Sequence, residues 1–265
     1  MQSNAQHSSQ HQGSGPASDA GVVREFAEVV PEYLSSGYRA LMIGDGATAI
    51  ELWENLYKRY PSAEVCGHLA RAHYYQTFFL GHGVDHPLHV VHIKRMREWA
   101  EQALELNPNS AIGHAMLAAA IARLSLISGS QRQILGSAMA VRGHAQQAIL
   151  IDNTWVGHYV LGGWHREMAS IHPGIRALAG LLRIRLPEGK FGDSIKHYEE
   201  VLRQYPENNT IYADMAYTYE AMGDLQKARE MYEQCLSMPL FRHPTAAYLT
   251  RVAAERYRQR FSNGA

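Results

Sequence analysis

Residues 209–239 read NTIYADMAYTYEAMGDLQKAREMYEQCLSMP. Tyr212, Met215, Ala216 and Tyr219 recur three and four apart, which places them on one face of a helix. After Gly223, Ala228, Tyr232 and Cys235 repeat that spacing, and Pro239 stops the run. Large side chains fall where two helices would pack, small ones where the helices nearly touch, and Gly223 stands at the turn between them. The stretch is therefore a helix pair, and the same frame recurs upstream.

The frame is that of the tetratricopeptide repeat (TPR), whose period is roughly 34 residues. A first unit runs from about Val30 to Pro61, with Tyr33, Gly37, Gly44, Ala49, Trp53 and Leu56 in frame. A second ends at Pro108. Cys66, Leu69, Ala70 and His73 mark its first helix, Met96, Ala100, Ala103 and Leu104 its second, and LGHGVDHPLH is inserted between them. The third carries His114, Leu117 and Ala118, then Val141, Ala145 and Ala148. The fourth carries His158, Leu161, Gly162 and His165, then Ser194, Tyr198 and Val201. Between these two helices lies a long link bounded by Pro173, Gly174, Pro187 and Gly189, with room for a short extra helix. A last stretch from His243 to Phe261 reads as a capping helix with its apolar stripe at Ala247, Leu249, Val252 and Tyr257. Stop signals at Pro61, Pro108, Asn153 and Pro206 leave intervals of about 45 to 53 residues, so the middle repeats are expanded. The expected fold is an all-α, right-handed TPR-like solenoid of about five degenerate helix pairs with a C-terminal capping helix. Residues 20–262 form one domain behind a disordered, Ser/Gln/His-rich tail over residues 1–19.

Composition narrows the function. The 265 residues carry 25 basic and 25 acidic side chains, so no overall basic field draws the chain to nucleic acid. The two cysteines, Cys66 and Cys235, both fall inside helical segments and read as reduced core thiols of a cytoplasmic protein. No apolar run is long enough to span a bilayer, and the N-terminus lacks the apolar stretch of a secretory signal.

The segment GHYVLGGWHREMAS from Gly157, then IRALAGLLRIRLPEGKFGDSIKHYEEVLRQYPEN from Ile175 and IYADMAYTYEAMGDLQKAREMYEQCLSMP from Ile211, resembles the regulator of microtubule dynamics family. The Gly163–Trp164 pair, the long inserted link, the Tyr-containing second helix and the closing repeat carry the likeness, over about residues 109–260 and more weakly upstream. The resemblance implies a TPR-like helical protein. Some members associate with microtubules, and others tether membranes and bind phospholipid. Membrane-anchored members carry an N-terminal transmembrane segment that this sequence lacks, so the resemblance implies a soluble relative.

Candidate chemistry is thin. His82, His86, His89 and His92 are the metal candidates, since His89 and His92 share a helix face if a helix starts at Pro87. No Glu stands in an HExxH frame and no cysteine is near, so they read as solvent-facing and no cofactor is expected. His158, His165 and His172, seven apart, lie along one stripe; the first two coincide with packing positions and read as core histidines. No GxSxG, phosphate loop or Cys–His frame is present, so catalysis is not expected. Binding is. Groove-facing positions on the first helix of each pair are Tyr38; Arg71, Tyr74 and Tyr75; Arg123; Tyr159 and Arg166; and Tyr217 and Glu220. Tyr and Arg combine contact area with hydrogen bonds, and Arg clamps a carboxylate or phosphate through two bonds. The link at 174–190 adds Arg176, Arg183, Arg185 and Lys190 beside Ile175, Leu178, Leu181 and Leu182, a basic amphipathic strip read as a helix capping the stack, with a membrane-facing role as the alternative. The reading is a non-catalytic scaffold or adaptor for an acidic peptide or partner protein. A lipid or small amphiphile is the alternative ligand, and exposed repeat ends would allow a homo-oligomer.

Overall fold

The computed structural model describes residues 32–79, 87–128, 131–183, 185–241 and 245–261. Among them every regular element is a helix. α1 covers residues 32–42. It is followed by α2 (Gly46–Arg59), α3 (Ala63–Phe79), α4 (Pro87–Leu106), α5 (Ala111–Ile127), α6 (Gln131–Asp152), α7 (Trp155–Ala169), α8 (Pro173–Leu181), α9 (Phe191–Gln204), α10 (Asn209–Met222), α11 (Leu225–Ser237) and α12 (Ala246–Phe261). None is long and apolar enough to cross a membrane. Local chemistry sets the ends. Asp45, Ser110 and Asp224 each cap the helix that follows, accepting from the backbone N–H of Thr48, Gly113 and Lys227. Gly223 closes α10 at φ 82°, in the left-handed region where a Cβ is strained.

The helices pair as α1/α2, α3/α4, α5/α6, α7/α9 and α10/α11, and α12 caps the last pair. The chain is an all-α helical solenoid, as the repeat frame predicts, and the described residues make up five helix pairs. Each second helix also meets the first helix of the next pair: α2 on α3, α4 on α5, α6 on α7, α9 on α10. Four apolar clusters run along the stack, and aromatic residues join them. Tyr74 and Trp99 pack against both the first and second clusters, Trp155 links the second to the third, and Tyr212 links the third to the fourth. At Gly162 the helices are so close that a Cβ would stand 2.6 Å from the Tyr198 ring, so only glycine lets α7 meet α9 there. Cys66 and Cys235 are buried free thiols, each pushed by burial up to about 11.

Three successive pairs carry the same polar buckle. His73 on α3 faces His92 on α4, His114 on α5 faces His144 on α6, and His158 on α7 faces His197 on α9. In each case the two Nδ1 atoms are 2.9 Å apart. The tautomers follow from the outer contacts. His114 Nε2 donates to the Pro108 carbonyl at 3.0 Å, and a carbonyl can only accept. Neutral His114 therefore accepts at Nδ1, and His144 donates. His158 Nε2 donates to Asn153 Oδ1 at 2.9 Å, which makes His197 the donor of its pair.

Several expectations need correction. His172 does not share a stripe with His158 and His165, because α7 ends at Ala169 and His172 caps α8, accepting from Gly174 N. The inner stripe of α12 is Ala246, Leu249, Ala253 and Tyr257, and Ala247 is exposed. The tail over residues 1–19, His82 and His86 lie outside the described residues. His89 and His92 lie on a helix that starts at Pro87, as the sequence suggests, but do not face solvent: His89 is buried, and His92 is bonded to His73. Among the described residues no three His, Cys, Asp or Glu side chains gather as a metal site would need.

Candidate functional site

The first helices of pairs two to five, α3, α5, α7 and α10, share a cavity of about 190 Å³. Met116, Leu126, Ile134, Val141, Val160 and Trp164, from α5, α6 and α7, make much of its lining apolar. Arg71, Arg123, Arg166, Glu167 and Asp214 add charge, and Tyr74, Tyr75, Tyr159 and Tyr198 add hydroxyls. Burial holds Tyr74, Tyr75 and Tyr198 above their ordinary range, and at Tyr159 the Asp214 charge does so first with burial adding to it, so at neutral pH all four remain neutral donors.

The three arginines are placed differently. Arg166 is engaged: its Nη1 donates to Asp214 Oδ1 at 3.5 Å and to the Tyr198 hydroxyl at 3.4 Å, and its Nε donates to Glu167 at 3.4 Å. Asp214 is largely buried, with its side chain 15% exposed. Burial pushes its carboxyl up, against the pull of Arg166 and a hydrogen bond from Tyr159. Arg123 lies over the rings of Tyr74 and Phe78, 5.3 and 4.9 Å from their centroids. Arg71 donates to the Tyr38 hydroxyl at 2.7 Å. The Nε atoms of Arg71 and Arg123 are buried without a hydrogen-bond partner, and among the described residues neither arginine forms an ion pair. Three guanidiniums against two carboxylates leave a net positive lining with donors to spare.

Six of the nine sequence-predicted groove residues therefore meet at one cavity: Arg71, Tyr74, Tyr75, Arg123, Tyr159 and Arg166. The other three lie just outside its lining. Tyr38 stands behind Arg71, bonded also to His68 Nδ1 at 2.8 Å. Tyr217 lies between two guanidiniums, 5.9 Å from Arg166 and 5.0 Å from Arg256. Glu220 is occupied by its own chain, accepting from Arg256 Nε and the Tyr232 hydroxyl, each at 2.9 Å. Sequence reasoning missed Asp214, Tyr198 and Trp164. Asp214 sits one turn before Tyr217 on α10, so the frame that selected Tyr217 also reaches it.

The concave face is also less open than a simple stack would leave it. Phe78 at the end of α3 meets Tyr248 at the start of α12, ring centroids 5.6 Å apart and edge to face. The capping helix thus touches the second repeat as well as the fifth.

The sequence profile described as regulator of microtubule dynamics protein 1-3 matches residues 40–248. The chain belongs to this family. No curated protein is matched by the sequence of this family member. Among solved structures it is similar to a thermophilic TPR protein of Thermus thermophilus, with TM-score 0.59 and 17% identity over 85% of this chain and 97% of that one. It is also similar to YrrB, described as a TPR protein with an unusual peptide-binding site, with TM-score 0.42 and 12% identity over 88% of this chain and 97% of that one. MamA gives TM-score 0.41 and 17% identity over 79% and 91%. The first of these similarities places the family member's fold among TPR proteins.

Proposed function

We propose that the chain is a non-catalytic TPR scaffold of the cytoplasm that holds an acidic segment of a partner protein in the cavity between α3, α5, α7 and α10. One observation carries the reading: Arg71 and Arg123 line the cavity with no carboxylate of their own. A half-buried guanidinium whose Nε is shut off from water and which has no counter-charge favours an anion that brings two acceptor oxygens. The tyrosine hydroxyls supply further donors, and the apolar lining takes the side chains beside the acid.

The test is affinity capture from the native cell, with mass spectrometry of co-purified proteins and lipids. Arg71→Glu and Arg123→Glu should each lower capture of the partner by about tenfold or more, since reversing one half-buried charge in a binding site costs a few kcal/mol. Capture at the wild-type level by both variants sinks the proposal. Arg166 is a poorer probe, because its loss strands the buried Asp214. A second reading, a small anionic amphiphile, is favoured by the apolar residues of α5 and α6 in the lining. Native mass spectrometry of the purified chain separates the two: a bound small molecule supports the amphiphile, and a clean mass counts against it.

A further inference from the structure

One carboxylate of the cavity already stands where a partner's acid would stand. Asp214, on α10, lines the cavity with its side chain largely buried. It accepts from the Tyr159 hydroxyl and faces Arg166, whose Nη1 is 3.5 Å from its Oδ1. Its charge also raises the phenols of Tyr74 and Tyr198, so it is felt on the α3 and α9 sides of the site alike.

The hold on Arg166 is loose. A charge-assisted bond from guanidinium to carboxylate closes to about 2.7 to 2.9 Å, often as a parallel pair. Here one nitrogen reaches the Asp214 carboxylate at longer range. It is shared with the Tyr198 hydroxyl and the Asp214 carbonyl, each at 3.4 Å. Among the described residues Nη2 of Arg166 makes no hydrogen bond, and it is not shut off from water. Glu167, the other acid at Arg166, is 42% exposed and so screened by solvent.

We propose that Asp214 is an internal competitor: it occupies Arg166 in place of the partner's carboxylate and so sets how tightly the cavity holds an acid. The inference rests on the anion-binding reading above and adds the residue that limits it. In a largely apolar lining the repulsion between Asp214 and an incoming carboxylate is weakly screened. It offsets what Arg166 would contribute, which leaves Arg71 and Arg123 as the effective anchors. Removing the Asp214 charge frees Arg166 and lifts the repulsion together. Neutral Asn at this position therefore strengthens binding, although loss of a buried ion-pair partner ordinarily weakens a protein.

The test is chemical-shift titration of the isotope-labelled full-length chain at about pH 7.5 with two capped dipeptides, acetyl-Glu-Phe-amide and its uncharged match acetyl-Gln-Phe-amide. Asp214→Asn should bind the Glu peptide about tenfold or more tighter than wild type and leave the Gln peptide unchanged. The double Arg166→Gln/Asp214→Asn should return to wild-type affinity, because the gain comes through Arg166. Neutral residues of like shape replace the whole pair there, which the fold tolerates better than loss of one partner. The double also decides the matter if Asp214→Asn alone does not fold. Affinity well below wild type would show Arg166 serving the ligand directly and would overturn the proposal. So would Asp214→Asn binding the Glu peptide no tighter while Arg71→Glu still weakens it; the anion reading then stands and the competitor falls. Equal binding of the two peptides by wild type and both variants overturns both readings.

Discussion

Asn209 shows how one polar side chain can hold several segments at once. It has no exposed surface, and it sits in the first turn of α10. Its amide donates to the Cys235 carbonyl at 3.2 Å and to Thr250 Oγ1 at 2.9 Å, and its Oδ1 accepts from Phe241 N at 3.2 Å. One residue therefore ties α10 to α11, to the following link and to α12. Replacing it with leucine of similar volume leaves a buried N–H and a buried carbonyl unpaired. Asn209→Leu should lower stability by about 2 to 4 kcal/mol in urea denaturation, whereas Thr250→Val, which removes one hydroxyl, should cost about 1 kcal/mol. In the sequence Asn209 reads as one polar residue after a proline, because its partners lie 26, 32 and 41 residues away. Asp214 escaped notice for the same reason, since Arg166 is 48 residues before it. Arg123 and Tyr74 were legible because a fixed repeat position sufficed to place them.

The histidine buckles make the three central helix pairs sensitive to acid. Burial is the first cause of the downward shift at His73, to about 3, and at His197, to about 4, and the facing histidine adds to both. His92, His144 and His158 are lowered as well, again chiefly by burial. Their folded values lie below the ordinary 6.5, so the unfolded chain binds more protons as pH falls. The stabilisation is complete above about pH 6.5 and is lost as pH drops through the folded values. One proton per pair is tolerable, on the donor ring whose outer nitrogen is free; a second would set two N–H groups against each other. Denaturation at pH 7.5 and pH 5 should differ by about 2 kcal/mol or more, and His158→Asn/His197→Gln should shrink that difference. An unchanged difference in the variant would remove this buckle from the account. The helix pairs were legible as periodicity, whereas the buckles join residues 19, 30 and 39 apart on different helices, a pairing that no local pattern encodes. The α12 stripe was misread by about one position for a related reason. The alanines there come as adjacent pairs, Ala246–Ala247 and Ala253–Ala254, and only contact with α10 and α11 decides which of each pair turns inward.

Across the whole molecule, the order of the helices was legible and their closure was not. Coiling accumulates from small rotations between successive pairs, and no residue spacing reports their sum. The sum appears at Phe78 and Tyr248. Tyr248→Ala should therefore quicken amide hydrogen exchange in the last turns of α3 as well as in α12, whereas Tyr257→Ala, whose ring packs near Tyr232 and Phe261, should act on α10 to α12 alone. Exchange in α3 unaffected by Tyr248→Ala would show that the contact carries no stability. An ordinary solenoid is an open chain of couplings, and units can be added or removed at small cost because each answers only to its neighbours. Here the capping helix α12 must arrive at the second pair. That turns an open boundary into a cyclic one, so fraying at the C-terminal end is resisted from across the molecule. It also fixes the number of repeats, because one unit more or fewer would carry α12 past the site it has to meet.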